Sequence, residues 1–235
     1  MKDRDIDDIL RRAAEGTPGV DPALLGRVSE SIGGSLVPVR PLPPSGILSG
    51  GLIVTAGAVA VVVAAHLRMY ALPKMSGWEV GLIFPTLGLL VWMAGVLAVA
   101  EMVPGSRRSM APWMLFAGAC GALAAVFVVA FQDYGMVRFV PRGVACLKAG
   151  VLAALPVALV AGAVLRRGFA VSPAGAGLAA GTLAGLAGIA MLELHCPIFE
   201  APHVLVWHIG VLPVCGGMGA LVARAIRALS HSLEQ

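Results

Sequence analysis

Apolar residues gather into six long runs, at about 47–67, 78–100, 111–131, 144–165, 173–194 and 203–223, with short polar breaks between them. Each run is close to the ~20 residues that a helix needs to cross the hydrocarbon core of a bilayer. A segment in lipid must satisfy its backbone hydrogen bonds internally, so runs of this length predict helices. The pattern ahead of them is different. Residues 1–46 hold seven acids and six bases, and their apolar residues follow a helical period. Ile6, Ile9 and Leu10, with Ala13, make one face, and Leu24, Leu25, Val28 and Ile32 make another. Asp21 as N-cap and Pro22 as first residue open the second helix, and Gly33-Gly34 are expected to close it. Gly16-Thr17-Pro18-Gly19 breaks the chain between the two. Four prolines within residues 38–44 read as a semi-rigid spacer.

The pattern predicts an all-α protein: a polytopic six-helix transmembrane bundle with a short cytoplasmic N-terminal helical segment. The expected divisions are a head at 1–46, a membrane domain at 47–224 and a tail at 225–235. Composition agrees, because 58% of residues are hydrophobic, 13% are charged and the mean hydropathy is +0.89. Soluble domains carry about 25% charged residues, so this chain has too little polar surface to cover a water-soluble globule. No apolar run in the first 46 residues is long enough for a secretory signal, and the first span is expected to direct insertion. Gly177, Gly181 and Gly185 form a small-residue stripe on the fifth span, which should pack closely against another span. Pro85, Pro156 and Pro213 fall inside spans and are expected to bend them.

Charge sets the orientation. Of the 17 Lys and Arg residues, twelve lie in the head, the tail and the loops around Arg107-Arg108 and Arg166-Arg167. The other five, Arg68, Lys74, Arg138, Arg142 and Lys148, lie at the opposite end. The positive-inside rule puts the first group, and both termini, in the cytoplasm. Tyr70, Trp78, Tyr134 and Trp207 then mark the outer interface, and Trp113 the inner one.

This topology sorts the four cysteines. Cys146 opens the fourth span and Cys196 lies in the loop between the fifth and sixth, so both fall at the outer end. Cys120 and Cys215 lie within spans and read as small buried apolar residues. Three readings stand for Cys146 and Cys196. They could form a reversible disulfide that senses oxidants, which outside the cytoplasm would persist. They could bind a soft or borderline cation with His195, His203 or Glu200. They could be purely structural. His195, beside Cys196, could favour its thiolate. His203 and His208 are five apart, which on an α-helix puts them on different faces and speaks against a haem held by both.

Other classes find little support. Glu101 and Asp133 sit at span ends, and without a mid-span carboxylate a small transporter or channel lacks its usual intramembrane ionisable group. The absence of a close-spaced dithiol speaks against a membrane thiol redox protein. No nucleotide-binding, serine-hydrolase or zinc-protease motif is present. The amphipathic helices of the head fit either a membrane surface or a soluble partner.

Several stretches together resemble a known family: Pro38-Val39-Arg40-Pro41-Leu42-Pro43-Pro44 before the first span, Cys146-Leu147 opening the fourth, and Leu165-Arg166-Arg167-Gly168 closing it. Leu194-His195-Cys196-Pro197 and Val206-Trp207-His208 complete the set. The chain is similar here to the NrsF family of bacterial membrane anti-sigma factors, negative regulators of an extracytoplasmic-function sigma factor. The resemblance implies a multi-pass inner-membrane protein that is not an enzyme, has no resident cofactor and makes no direct nucleic-acid contact. Its partners would be the bilayer and a sigma factor, held by the head through Ile6, Ile9, Leu10, Leu24, Leu25, Val28 and Ile32. It also implies two periplasm-facing cysteines that sense heavy metals or oxidative stress, by position Cys146 and Cys196.

Overall fold

The computed structural model describes residues 8, 11, 21–35, 42–103, 105–106, 110–168 and 170–233. The chain divides into two compact units, Met1–Pro41 and Leu42–Gln235. In the first, Asp8 and Arg11 are helical and form an ion pair at 4.0 Å. Helix α1 spans Pro22–Ser35. The Asp21 side chain accepts a hydrogen bond from the Ala23 amide, a cap that satisfies one of the free N–H groups of the first turn. Gly33-Gly34 do not stop this helix, which runs on to Ser35. Leu24, Leu25, Val28 and Ile32 are each roughly half exposed. Ile6, Ile9, Leu10 and residues 38–41 of the spacer lie outside the described residues.

The second unit holds six helices long and apolar enough to cross a membrane. They are α2 (Ser45–Leu67), α3 (Gly77–Met102), α4 (Pro112–Ala130), α5 (Phe139–Leu165), α6 (Pro173–His195) and α7 (Val211–Leu233). The last crossing also includes a one-turn helix, Ala201–His203, and a π-helical stretch, Val204–His208. Among the described residues there is no strand, only an isolated bridge between Asp133 and Glu200. This is the all-α bundle that the six runs predict. Its outward side chains are apolar: Val54 is 70%, Leu159 73% and Leu221 65% exposed. Such a surface suits lipid and would be a liability in water. The protein is a multi-pass membrane protein.

Helix α6 is the axis of the bundle. Of its most apolar stretch, 83% is buried, against 22–50% for the other five crossings. Small residues explain why. Gly177 faces the backbone of Gly219, Gly181 that of Cys215 and Gly216, and Gly185 that of Leu212, so α7 lies directly on α6. Gly188 faces the carbonyl of Gly150 on α5. A methyl at any of these positions would press on backbone, the sense in which small residues let helices approach in lipid.

Helix α5 begins at Phe139, five residues before the apolar run at 144. Its first turn holds Arg142, whose Nη1 reaches the Val137 carbonyl at 3.5 Å; a long basic side chain can continue a helix past the hydrocarbon edge. Helix α3 starts with a capping box between Ser76 and Glu79. Glu101 near its other end is 1% exposed, and its carboxylate lies over Gly175 in the first turn of α6, where the helix dipole favours an acid.

Candidate functional site

The turns at one end of the bundle are tied together by the last turn of α6 and the segment after it. The Ala71 amide bonds the Leu194 carbonyl at 3.3 Å, and the Ala201 amide bonds the Asp133 carbonyl at 2.6 Å. Phe199 stacks on Phe131 with ring centroids 5.6 Å apart. Two non-glycine residues with positive φ lie here, Arg68 (φ 72°) and Arg138 (φ 54°), a strained conformation that surrounding contacts must hold. For Arg68 one such contact is visible: His195 Nδ1–H donates to its carbonyl at 2.8 Å.

Within this frame four metal-ligating side chains converge. Cys146 comes from α5, Cys196 caps α6, His203 ends the one-turn helix and His208 ends the π-helical stretch. One ligand atom from each lies within 4.8 Å of all the others. The sulfurs of Cys146 and Cys196 are 3.5 Å apart, as free thiols. Cys196 Sγ lies 3.7 Å from His203 Nε2. The rings of His203 and His208 meet edge to face, with centroids 5.3 Å apart. Cys196, His203 and His208 are buried, and Cys146 is half-buried. The Cys196 thiol is pushed above its ordinary value, first by its hydrogen bond with Cys146 and then by burial.

The two histidines share a site because the backbone is not α-helical between them. The Ile209 amide bonds the Val204 carbonyl, five residues back. At about 4.4 residues per turn, positions five apart return to nearly the same face, where in an α-helix they would diverge. The expectation that His203 and His208 lie on different faces is thus corrected. The local sequence favours the irregular turn. Pro213 has no N–H to offer the Ile209 carbonyl, and a Cβ on Gly210 would sit 2.5 Å from the Val206 carbonyl. Pro213 therefore falls in the first turn of α7, where a missing N–H costs nothing, rather than bending a continuous span.

Glu193, one turn before Cys196, completes the arrangement. Its Oε1 accepts a hydrogen bond from His208 Nδ1 at 2.6 Å, with both side chains about 1–2% exposed. That bond holds the proton on Nδ1 and turns Nε2 inward. Nε2 is buried and makes no hydrogen bond. Of the other residues expected as ligands, His195 is engaged with Arg68 and its ring lies beside Tyr70. Glu200 sits at the bridge with Asp133. Neither belongs to the cluster. Trp207, expected at the outer interface, packs its indole onto Gly143 and against Phe139, and its Nε1 is buried.

The family model for the negative regulator of sigma F matches residues 34–227. This chain belongs to the NrsF family. It is a negative regulator of a sigma factor, and a sigma factor is its partner. The match takes in five NrsF spans, most of the sixth and the whole Cys146–Cys196 cluster, while residues 1–33 lie ahead of it. No curated protein and no solved structure matches the chain.

Proposed function

We propose that this protein is an inner-membrane anti-sigma factor that holds an extracytoplasmic-function sigma factor through residues 1–46 and releases it when Cys146 and Cys196 change state. The observation that carries the sensing half is the 3.5 Å separation of two thiols from different elements. Sulfurs so placed need approach by only about 1.5 Å to reach the ~2.05 Å of a disulfide. With a peroxide as oxidant the step balances. One thiolate attacks the peroxide O–O bond, becomes a sulfenic acid and releases an alcohol or water; the second thiolate then displaces water to form the disulfide. The thiol pair loses two electrons and two protons, and the peroxide accepts both.

Orientation follows the Lys and Arg distribution, which puts the cysteine end in the periplasm and both termini in the cytoplasm. The half-exposed apolar face of Leu24, Leu25, Val28 and Ile32 suits a soluble protein partner better than water. Helix α6 is a route between the ends: Cys196 caps it, and it packs along α2, the span that follows the head in the chain. Regulation requires two bundle states with different affinity for the sigma factor, one favoured by the linked cysteines.

Replacing both Cys146 and Cys196 by Ser in cells carrying a sigma-dependent reporter tests this reading. Repression persists and induction by peroxide or heavy metal disappears. A double variant that still responds removes the cysteines from the mechanism. Failure of the full-length protein to co-purify with its sigma factor through residues 1–46 removes the head.

A further inference from the structure

The cluster is better furnished than a disulfide requires. A thiol pair needs no imidazole, yet two buried histidines converge on it, and one is locked by a buried carboxylate. We propose that Cys146, Cys196, His203 and His208 form a closed tetrahedral site for a divalent d10 cation, zinc or cadmium, with Glu193 fixing the ring of His208. This deepens the reading of the same cysteine pair given above and rests on its thiols being reduced.

Geometry argues first. Zinc takes thiolate sulfur at about 2.3 Å and imidazole nitrogen at about 2.0–2.1 Å, which makes the edges of an S2N2 tetrahedron roughly 3.3–3.8 Å. The sulfur–sulfur edge here is 3.5 Å and the Cys196–His203 edge 3.7 Å. All four ligand atoms lie within 4.8 Å of one another, so closure needs only small side-chain movements.

Polar accounting argues second. His208 Nε2 is buried without a hydrogen bond, and such a group destabilises the fold unless something fills its lone pair. With Nδ1–H donated to Glu193, Nε2 is the neutral, ligating nitrogen. A carboxylate behind a ligating histidine is the arrangement that fixes ring orientation in metal sites.

Charge and softness select the ion. Two thiolates neutralise a divalent cation, so the filled site adds no net charge to a buried region; the thiol protons leave as it binds. No oxygen ligand is offered, which disfavours magnesium and calcium. Two sulfurs and two nitrogens in a tetrahedron suit zinc-class ions. A monovalent soft ion held by the sulfurs alone would leave both histidines unused. The site also bears on sensing: the same sulfurs cannot both ligate a metal and join as a disulfide, so a filled site shields the pair from peroxide.

Cobalt(II) is a suitable probe. Full-length, reduced, chelator-treated protein in lipid nanodiscs is titrated with Co2+ and followed by absorbance. The expected result is one ion per chain, with thiolate-to-cobalt charge-transfer bands and the strong visible bands of tetrahedral cobalt, both displaced by Zn2+ or Cd2+. H203A and H208A lose at least tenfold in affinity while keeping both thiols. Glu193→Gln loses about 10–100-fold. His208→Cys, which retains a ligand, keeps the cobalt spectrum with added charge-transfer intensity. Peroxide-driven linkage of Cys146 to Cys196, read by mass spectrometry on the same preparations, reports whether each variant keeps the two thiols in place.

Absence of cobalt binding in wild-type protein that still forms the disulfide overturns the metal site and leaves the thiol reading standing. Equal binding by H203A, H208A and wild type overturns the four-ligand assignment in favour of a bare thiol pair. Binding as expected, with sigma capture indifferent to metal and peroxide alike, upholds the site and overturns the sensor.

Discussion

At the scale of single residues, the site depends on small groups that leave room for large ones. Gly143 is an example. A Cβ there would collide with the indole of Trp207, which neighbours His208 in the chain. Replacing Gly143 by Ala should displace Trp207 and lower the stability of the bundle by about 1–3 kcal/mol, the usual penalty for overpacking. Thermal unfolding in detergent measures it, and an unchanged midpoint would show that the indole moves aside freely. Glu193 and His208 make the opposite point. Each would be expensive to bury alone, and each is tolerable because the other is there. The sequence shows both residues, fifteen positions apart, but nothing in it pairs them. The available signal is indirect: Gly210 and Pro213 flank His208 and warn that the helix begins irregularly.

At the scale of elements, the π-helical stretch decides which histidines meet. Such a turn amounts to one extra residue in an α-helix. Val206 is its outward residue, 51% exposed. Deleting Val206 should return the stretch to α-helix and leave the two histidines four apart, again on one face. The shortened protein is expected to keep the cobalt spectrum; its loss, with the disulfide still forming, would mean that the π geometry itself aims the rings. The glycine stripe of α6 acts at the same scale. Its spacing announces close packing from the sequence. That α7 takes most of the stripe and α5 receives Gly188 depends on three-dimensional fit between backbones.

At the scale of the whole molecule, the chain divides after Pro41 into two compact units, and the proposed function gives each its own task. Removing residues 1–41 should abolish sigma capture while leaving the thermal midpoint of the membrane unit and its cobalt binding unchanged. Pull-down and unfolding of the truncated protein check the two halves separately. Loss of bundle stability on truncation would show that the head is part of the membrane fold and not a separate arm.

Hydrophobic patterning by itself determined the class, the six crossings and their approximate limits, because transfer of a segment into lipid is a local, additive property of its residues. Topology from those crossings also put Cys146 and Cys196 at one end. Only the tertiary structure decided that α6 is the axis, that the two sulfurs lie 3.5 Å apart, and that His208 joins them while His195 and Glu200 do not. These outcomes depend on where backbones approach and which buried polar groups find partners. Such terms couple residues far apart in the chain, and no window along the sequence contains them.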